Sequence, residues 1–290
     1  LAVELGLKCP ERPEVDHLTR DQLEKVRKAW YAPNNMTLIV VGDLERLLPA
    51  YLERSYGALE AVDPTGHPPL PAIQSSAAHE RTLSHGFVGG SAKLHWLVPE
   101  PVLEDQHDET FDLLKDYLDW ALYRQMRLAH GLSYGPSAER EVFGGVGFMS
   151  LNADLERDDV PEAEQVLEDL KAGLLRDGLN ANTFNRLKQA AIARQAWAVQ
   201  GNSALADYYW SALGDYEDGR FANPAKELQG VTQEEANKAM RELLMQPGYL
   251  RIEKPLISDD QFMWAIAGML GLIVLMLAGW RLHRRAPRTL

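Results

Sequence analysis

An uncharged run of 19 residues near the C-terminal end restricts what this chain can fold into. The run extends from Phe262 to Trp280 and contains no ionisable side chain. A helix of this length spans about 28 Å at about 1.5 Å per residue, which matches the hydrocarbon core of a bilayer. Residues 262–280 are therefore predicted to form one transmembrane helix.

The residues that flank this run predict its orientation. Asp259 and Asp260 precede it, four arginines lie in the ten residues after it, and Trp264 and Trp280 lie near its ends. Tryptophan favours the membrane interface, which makes the alternative, a buried core helix, the weaker interpretation. The positive-inside rule places the basic tail 281–290 in the cytoplasm. The soluble part is then extracytoplasmic, or periplasmic if the source is a Gram-negative bacterium.

Charge and cysteine content restrict the possible partners. The formal net charge is −12 at pH 7 although the tail is basic, so nucleic acid is not an expected partner. Cys9 is the single cysteine, which excludes an internal disulfide and leaves the redox compartment open. The chain starts at Leu1 without a basic or apolar leader, and we expect further sequence upstream.

Hydrophobic periodicity predicts the elements that precede residue 76. Thr19 and Gln22 form a capping-box pattern, which predicts a helix over 20–31. The apolar run 36–41 then predicts a buried strand, and a second helix is expected at about 45–56. Residues 62–75 contain four prolines and no periodicity, which indicates a linker.

The segment after the linker mixes strands and helices without regular alternation. Apolar patterning predicts strands at 93–98, 149–155 and 249–252 and helices at 108–130, 160–176, 181–212 and 233–246. The alternation at 149–155 is typical of an antiparallel strand with one buried face. The predicted fold class is α+β, with helices packed on a mostly antiparallel sheet.

The motif R-L-A-H-G-L-S-Y, from Arg127 to Tyr134, carries the candidate functional residues. Arg127 brings planar guanidinium donors and Tyr134 a hydroxyl, a pair suited to holding a peptide carbonyl. The alternative is an ordinary helix end, with a cationic last turn and Gly131 after it.

Two segments in this order resemble insulinase/pitrilysin-type zinc peptidases. The first is Y-A-P-N-N-M-T-L-I-V-V-G-D at 31–43, and the second is Arg-x3-Gly-Leu-x-Tyr at 127–134. The resemblance covers about residues 18–215 and implies a two-layer fold like that of the mitochondrial processing peptidase. It implies that 1–61 closes a first domain and that 76–255 is a complete second domain, while the membrane helix 262–280 and the tail 281–290 are predicted from the apolar run and its flanks. By the same resemblance, Arg127 and Tyr134 would hydrogen-bond the substrate backbone or scissile carbonyl and stabilise its developing charge.

Peptidases of this type use an inverted His-x-x-Glu-His motif to bind zinc, and this chain has none. Zinc is therefore expected in a missing N-terminal domain or a partner subunit of the same family. The expected function is the substrate-binding, C-terminal part of a membrane-anchored metallopeptidase that is inactive by itself and acts on peptides. Two alternatives stay open: a non-catalytic partner or scaffold subunit of this fold, and an unrelated membrane-tethered binding domain.

Overall fold

We analysed a computed structural model of the chain, which describes residues 15–63, 80–103, 109–143, 146–216, 221 and 223–285. The proline-rich linker predicted at 62–75 lies almost entirely outside the described residues, as do Cys9 and residues 286–290 of the tail. By its internal contacts the chain divides into two compact units. The first comprises 1–76, 107–109 and 185–231, and the second comprises 77–106, 110–184 and 232–290.

The helices and strands follow one another without a regular βαβ repeat. In chain order they are α1 (Arg20–Trp30), α2 (Leu48–Ser55), β1 (Glu80–Ser84), β2 (Ser91–Pro99), α3 (Thr110–Leu122), a π-helical segment (Tyr123–Ala129), β3 (Ser137–Phe143), β4 (Val146–Glu156), α4 (Val160–Asp177), α5 (Ala181–Ala198), α6 (Asn202–Ser211), α7 (Pro224–Gly230), α8 (Gln233–Met245), β5 (Tyr249–Lys254) and α9 (Asp259–Arg285).

The first unit begins with the helix that the capping-box pattern predicts. The main-chain N–H of Gln22 donates to the Thr19 hydroxyl over 3.3 Å, and the Thr19 N–H donates to the Gln22 side chain over 2.7 Å. Neither α1 nor α2 has a buried side chain. Among residues 16–63, only Ala32 is buried. This stretch therefore presents its apolar residues on the surface.

The prediction of a buried strand at 36–41 is wrong for the structure described. No strand is formed there, and side chains such as Leu38, which is 56% exposed, face solvent. The residues have the apolar, β-branched composition of a strand, but no described strand pairs with them. A strand needs a neighbour for its backbone hydrogen bonds, and sequence composition cannot supply one.

The single helix predicted over 181–212 is also wrong, because the structure divides it into α5 and α6. Gly201 lies between the two helices with a φ of 96°, a left-handed conformation that interrupts helical hydrogen bonding. The predicted helix at 108–130 is confirmed at α3, but its last turns adopt the wider π geometry.

The second unit is built on a five-stranded sheet with the order β1-β5-β2-β4-β3. β1 and β5 are parallel, and the other neighbouring pairs are antiparallel. Helices α3, α4 and α8 pack on the sheet and on one another. The α+β prediction of helices on a mostly antiparallel sheet is confirmed.

One face of the sheet forms the core of the second unit. Alternate positions of the central strands are buried against the helices, since β strands turn successive side chains to opposite faces. These positions are Leu94, Trp96 and Val98 in β2, Met149, Leu151 and Ala153 in β4, and Ile252 in β5. The other face, called here the open face, carries polar residues such as His95, Ser150 and Asn152 together with the buried Leu97, Phe148 and Tyr249.

Candidate functional site

The candidate site begins where α3 changes from α to π geometry. The N–H of His130 donates to the carbonyl of Gln125, five residues earlier, over 3.1 Å. Leu132 then donates to the carbonyl of Met126 over 2.7 Å. Gly131 has a φ of 69° and turns the chain out of the helix. Short π segments hold an extra residue in the turn and often occur at functional sites.

This turn brings Arg127 and Tyr134 together. The Arg127 Nη1 donates a hydrogen bond of 2.6 Å to the main-chain carbonyl of Tyr134. The guanidinium carbon lies 4.1 Å from the centre of the Tyr134 ring and 5.1 Å from that of Tyr123. A guanidinium at these distances interacts favourably with both aromatic faces. Arg127 thus fixes the main chain and the ring of Tyr134.

The Tyr134 side chain is held by Arg127 and yet remains open to solvent. It is 84% exposed, whereas the two residues before it, Leu132 and Ser133, are buried and anchor the loop. One of the five N–H donors of Arg127 is used by the Tyr134 carbonyl, and the described part of the chain shows no other hydrogen bond from that guanidinium. A phenol hydroxyl and guanidinium donors are therefore presented together at the surface.

Tyr123 belongs to this arrangement but is not among the residues that the sequence motif singles out. It lies four residues before Arg127 in the same helical segment, and its ring centre is 5.1 Å from the guanidinium carbon. Residues four apart on a helix lie on the same face, and this spacing is the sequence signal for the contact.

A cleft of about 440 Å³ lies between the end of α3 and helix α4. Its walls include Trp120, with the Arg124 guanidinium 5.2 Å from the ring centre, and Asp169 and Asp177 on α4. A hydrogen bond from Arg176 lowers the pKa of Asp177 below its ordinary value. The cleft is thus lined by an aromatic ring, a cation and carboxylates.

Strand β3 begins three residues after Tyr134, at Ser137, and an ion-pair network connects it to the rest of the second unit. Arg140 donates to both oxygens of Glu100, over 2.7 and 3.0 Å, and to Asp112 over 3.2 Å. The Glu100 side chain is 6% exposed. Burial lowers the pKa of Arg140, but its hydrogen bonds and the charges of both carboxylates outweigh burial and raise that pKa above the ordinary value. Arg140 remains a cation and neutralises a buried carboxylate.

Gly147 makes room for this ion pair. It lies on β4 opposite Val142, and a methyl group added at its Cα would clash with the Glu100 carboxylate. Glycine therefore lets the carboxylate lie against the strand backbone. The ion pair and the glycine together hold β3 on the helical layer.

The described residues do not fit a zinc centre. They contain no group of three or more His, Cys, Asp and Glu side chains placed to hold a metal ion. The described histidines make separate contacts instead: His95 lies 2.8 Å from Asn152 Oδ1, and His130 lies 3.1 Å from Glu162 Oε1. No step of chemistry on zinc can be derived from these side chains.

The sequence matches the model of a known peptidase family. Residues 17–191 match the family described as the peptidase M16 inactive domain. The match includes the segment 31–43, strands β1 to β4 and both Arg127 and Tyr134. A comparison with curated proteins gave no significant match.

Solved structures share the fold at low sequence identity. A peptidase M16 inactive domain from Pseudomonas fluorescens has a TM-score of 0.65 at 17% identity, over 84% of this chain and 59% of that one. The periplasmic protease PqqL from Escherichia coli gives 0.54 at 16% identity, over 74% of this chain and 24% of that one. The ferredoxin protease FusC, solved with Arabidopsis ferredoxin, gives 0.57 at 14% identity, over 72% and 23%.

The chain thus spans about 59% of the Pseudomonas structure and about a quarter of the two proteases. The family match extends over more than half of this chain and includes the paired arginine and tyrosine but no zinc motif. The chain belongs to the peptidase M16, or insulinase, family, and its matched part is an inactive domain of that family.

Proposed function

We propose that this chain holds the substrate of a zinc peptidase whose metal centre lies in another domain or subunit of the M16 family. The observation that carries the proposal is the exposed Tyr134 side chain, fixed through its ring and its carbonyl by Arg127. Preorganised donors of this kind stabilise negative charge without having to be reordered when a substrate arrives. Tyr134 would donate to a peptide carbonyl, and Arg127 would position Tyr134 and add a positive charge.

The exposed apolar surface of residues 15–63 supports the proposal of a further domain. Helix α1 presents Leu23 and Val26, more than half exposed, and the extended stretch 36–41 presents more apolar side chains. Large exposed apolar patches mark interaction surfaces in soluble domains. The solved relatives are longer than this chain, and a segment of the same family that offers a sheet edge to 36–41 would cover these residues.

We also propose that α9 anchors the protein in a membrane. The segment Asp259–Arg281 has a mean hydropathy of 2.2, and no residue of its most apolar window is buried. The acidic residues before it and the basic residues after it favour a cytoplasmic C-terminus. The soluble part would then be extracytoplasmic, in keeping with the periplasmic location that is named for PqqL.

The substrate would be a peptide or an unfolded segment of a protein. Tyr134 and Arg127 offer donors for a main-chain carbonyl, which every peptide carries, and do not by themselves select a side chain. FusC, which shares this fold, has been solved with ferredoxin, so that a protein partner is known for one relative.

Substitution at the two residues tests the role in peptide cleavage. The chain is co-expressed with the M16 polypeptide that carries His-x-x-Glu-His, and cleavage of a fluorogenic peptide is measured. Tyr134→Phe, which removes one hydrogen-bond donor, should lower kcat/KM about tenfold. Arg127→Ala should lower it about a hundredfold, because the variant loses a charged donor and the support of Tyr134.

Arg241→Ala and Tyr216→Phe are the matched controls. Arg241 is an exposed arginine of α8, and Tyr216 is an exposed tyrosine of the first unit. Both variants should cleave like the unaltered enzyme. Unchanged cleavage by Tyr134→Phe and Arg127→Ala would remove the proposed role. The chain alone should bind no stoichiometric zinc by metal analysis and cleave no peptide.

A further inference from the structure

The outer edge of β3 offers main-chain groups that the sheet does not use. β3 is the last strand in the sheet order and pairs with β4 alone among the described strands. In an antiparallel pair, the N–H and C=O groups of successive residues point alternately toward the partner and away from it. The register therefore determines which β3 residues face outward.

Two hydrogen bonds establish this alternation independently. The N–H of Ala138 donates to the Asp119 carboxylate of α3 over 3.0 Å, so that it points away from β4. The carbonyl of Gly147, which lies opposite Val142, accepts from the N–H of Glu100 on the β2 side over 2.8 Å. Gly147 therefore directs its main-chain groups toward β2, and Val142 and Gly147 form a non-hydrogen-bonded pair between β3 and β4. The outward residues are Ala138, Arg140 and Val142.

Asp119 closes one end of this edge. Its carboxylate accepts the outward N–H of Ala138, and a peptide cannot use that donor without displacing it. No hydrogen bond from the described side chains reaches the outward main-chain groups of Arg140 or Val142. Occupied edge groups discourage unspecific strand pairing, whereas open ones permit it. The available part of the edge thus runs from Arg140 to Val142.

Two glutamates of β3 lie next to Arg140 and Val142 on the open face of the sheet. Glu139 and Glu141 are exposed, and neither makes an ion pair or a hydrogen bond through its side chain within the described residues. Arg140, between them, points to the helical face, where Glu100 and Asp112 hold it. A strand added at this edge would place its open-face side chains about 5 Å from the glutamates. Unpaired carboxylates at alternate positions complement basic side chains with the same spacing.

We propose that an extended peptide pairs with Arg140 and Val142 as a sixth strand, and that Glu139 and Glu141 select peptides with lysine or arginine at alternate positions. The inference rests on the proposed function, because it describes how a substrate held at Tyr134 continues along the sheet. Tyr134 is six residues before Arg140, or about 20 Å in an extended chain. The edge would recognise residues of the substrate remote from the group that Tyr134 contacts.

The test uses the full chain in detergent micelles and four fluorescein-labelled decapeptides, whose binding is followed by anisotropy. The first alternates lysine and threonine, and the second has glutamate in place of lysine. The third and fourth are the lysine peptide with N-methylated amides at every second residue, one peptide for each register. N-methylation removes main-chain donors and leaves the protein unaltered. The protein variants are Glu139→Gln with Glu141→Gln, Tyr134→Ala, and, as control, Glu168→Gln at an exposed glutamate of α4.

We expect the lysine peptide to bind at least about tenfold more tightly than the glutamate peptide at low salt. The double variant should weaken lysine-peptide binding about fivefold, as expected for exposed ion pairs, and Glu168→Gln should not change it. N-methylation in one register should abolish binding, whereas N-methylation in the other should be tolerated, because only alternate amides face the strand.

The other outcomes contradict the inference in distinguishable ways. Equal binding of both N-methylated peptides and the parent peptide would exclude strand addition. Unchanged binding by the double variant would exclude the selection of basic residues. If peptides bind without regard to register or charge but lose binding in Tyr134→Ala, this inference fails and the proposed function stands. If no peptide binds, both fail.

Discussion

Replacing Arg140 by methionine should lower the free energy of unfolding by about 3–5 kcal/mol. The Glu100 carboxylate is almost fully buried, and Arg140 donates to both of its oxygens. Without the guanidinium, the Glu100 carboxylate would be left without its counter-charge in a low-dielectric site, against the strand backbone at Gly147. The loss would be measured by chemical denaturation of the full chain, followed by tryptophan fluorescence.

Two further variants make this test specific. Arg176 pairs with Asp177 in an ion pair in which both side chains are largely exposed, and Arg176→Met should leave the denaturation midpoint nearly unchanged. The double variant Glu100→Met with Arg140→Met should recover most of the stability, because it removes both charges and keeps the volume. A loss below about 1 kcal/mol for Arg140→Met alone would show that Glu100 is not held by this partner.

Deleting residues 262–280 should transfer the protein from the membrane fraction to the soluble fraction. The deleted run is the uncharged part of α9. We propose that burial of this run in lipid anchors the protein in the membrane. Cell fractionation at high salt, followed by immunoblotting, would measure the distribution, since high salt removes proteins held only by charge.

A scrambled sequence is the matched control for this deletion. Rearranging the same residues of 262–280 keeps their hydropathy and should keep the protein in the membrane. Protease added to spheroplasts should digest the soluble part if it lies outside the cytoplasm. An unaltered protein found in the soluble fraction, or a soluble part protected in intact spheroplasts, would contradict the proposed anchor or its orientation.

Periodicity in the sequence predicts the central elements of the second unit well. β2, α3 and β4 each bury many apolar side chains, and the sequence shows these as apolar runs, as alternation or as helical periodicity. β3 carries no such pattern, because Arg140 takes a helix-facing position, where the carboxylates of Glu100 and Asp112 balance its positive charge. Pairing between distant charges cannot be recognised from a local window of sequence.

The candidate site is predictable in its residues but not in its geometry. The motif identifies Arg127 at a helix end and Tyr134 before a strand, and both elements are present. The stacking of the guanidinium on the Tyr134 ring depends on the wide turn at Tyr123–Ala129 and on the return of the chain through Gly131. Hydrogen bonds of the main chain create that turn, and the side-chain pattern carries little information about them.

The π geometry of Tyr123–Ala129 has a consequence for how related proteins are recognised. A π turn corresponds to one inserted residue, and a relative that lacked the insertion would reach the same arrangement through an ordinary α turn. Where the missing residue falls after the arginine, the arginine and tyrosine of that relative would be six positions apart instead of seven. An alignment that requires a fixed separation would introduce a gap within the motif or fail to find the pair. Comparing the distance between the two side chains, and not their separation in sequence, identifies equivalent residues.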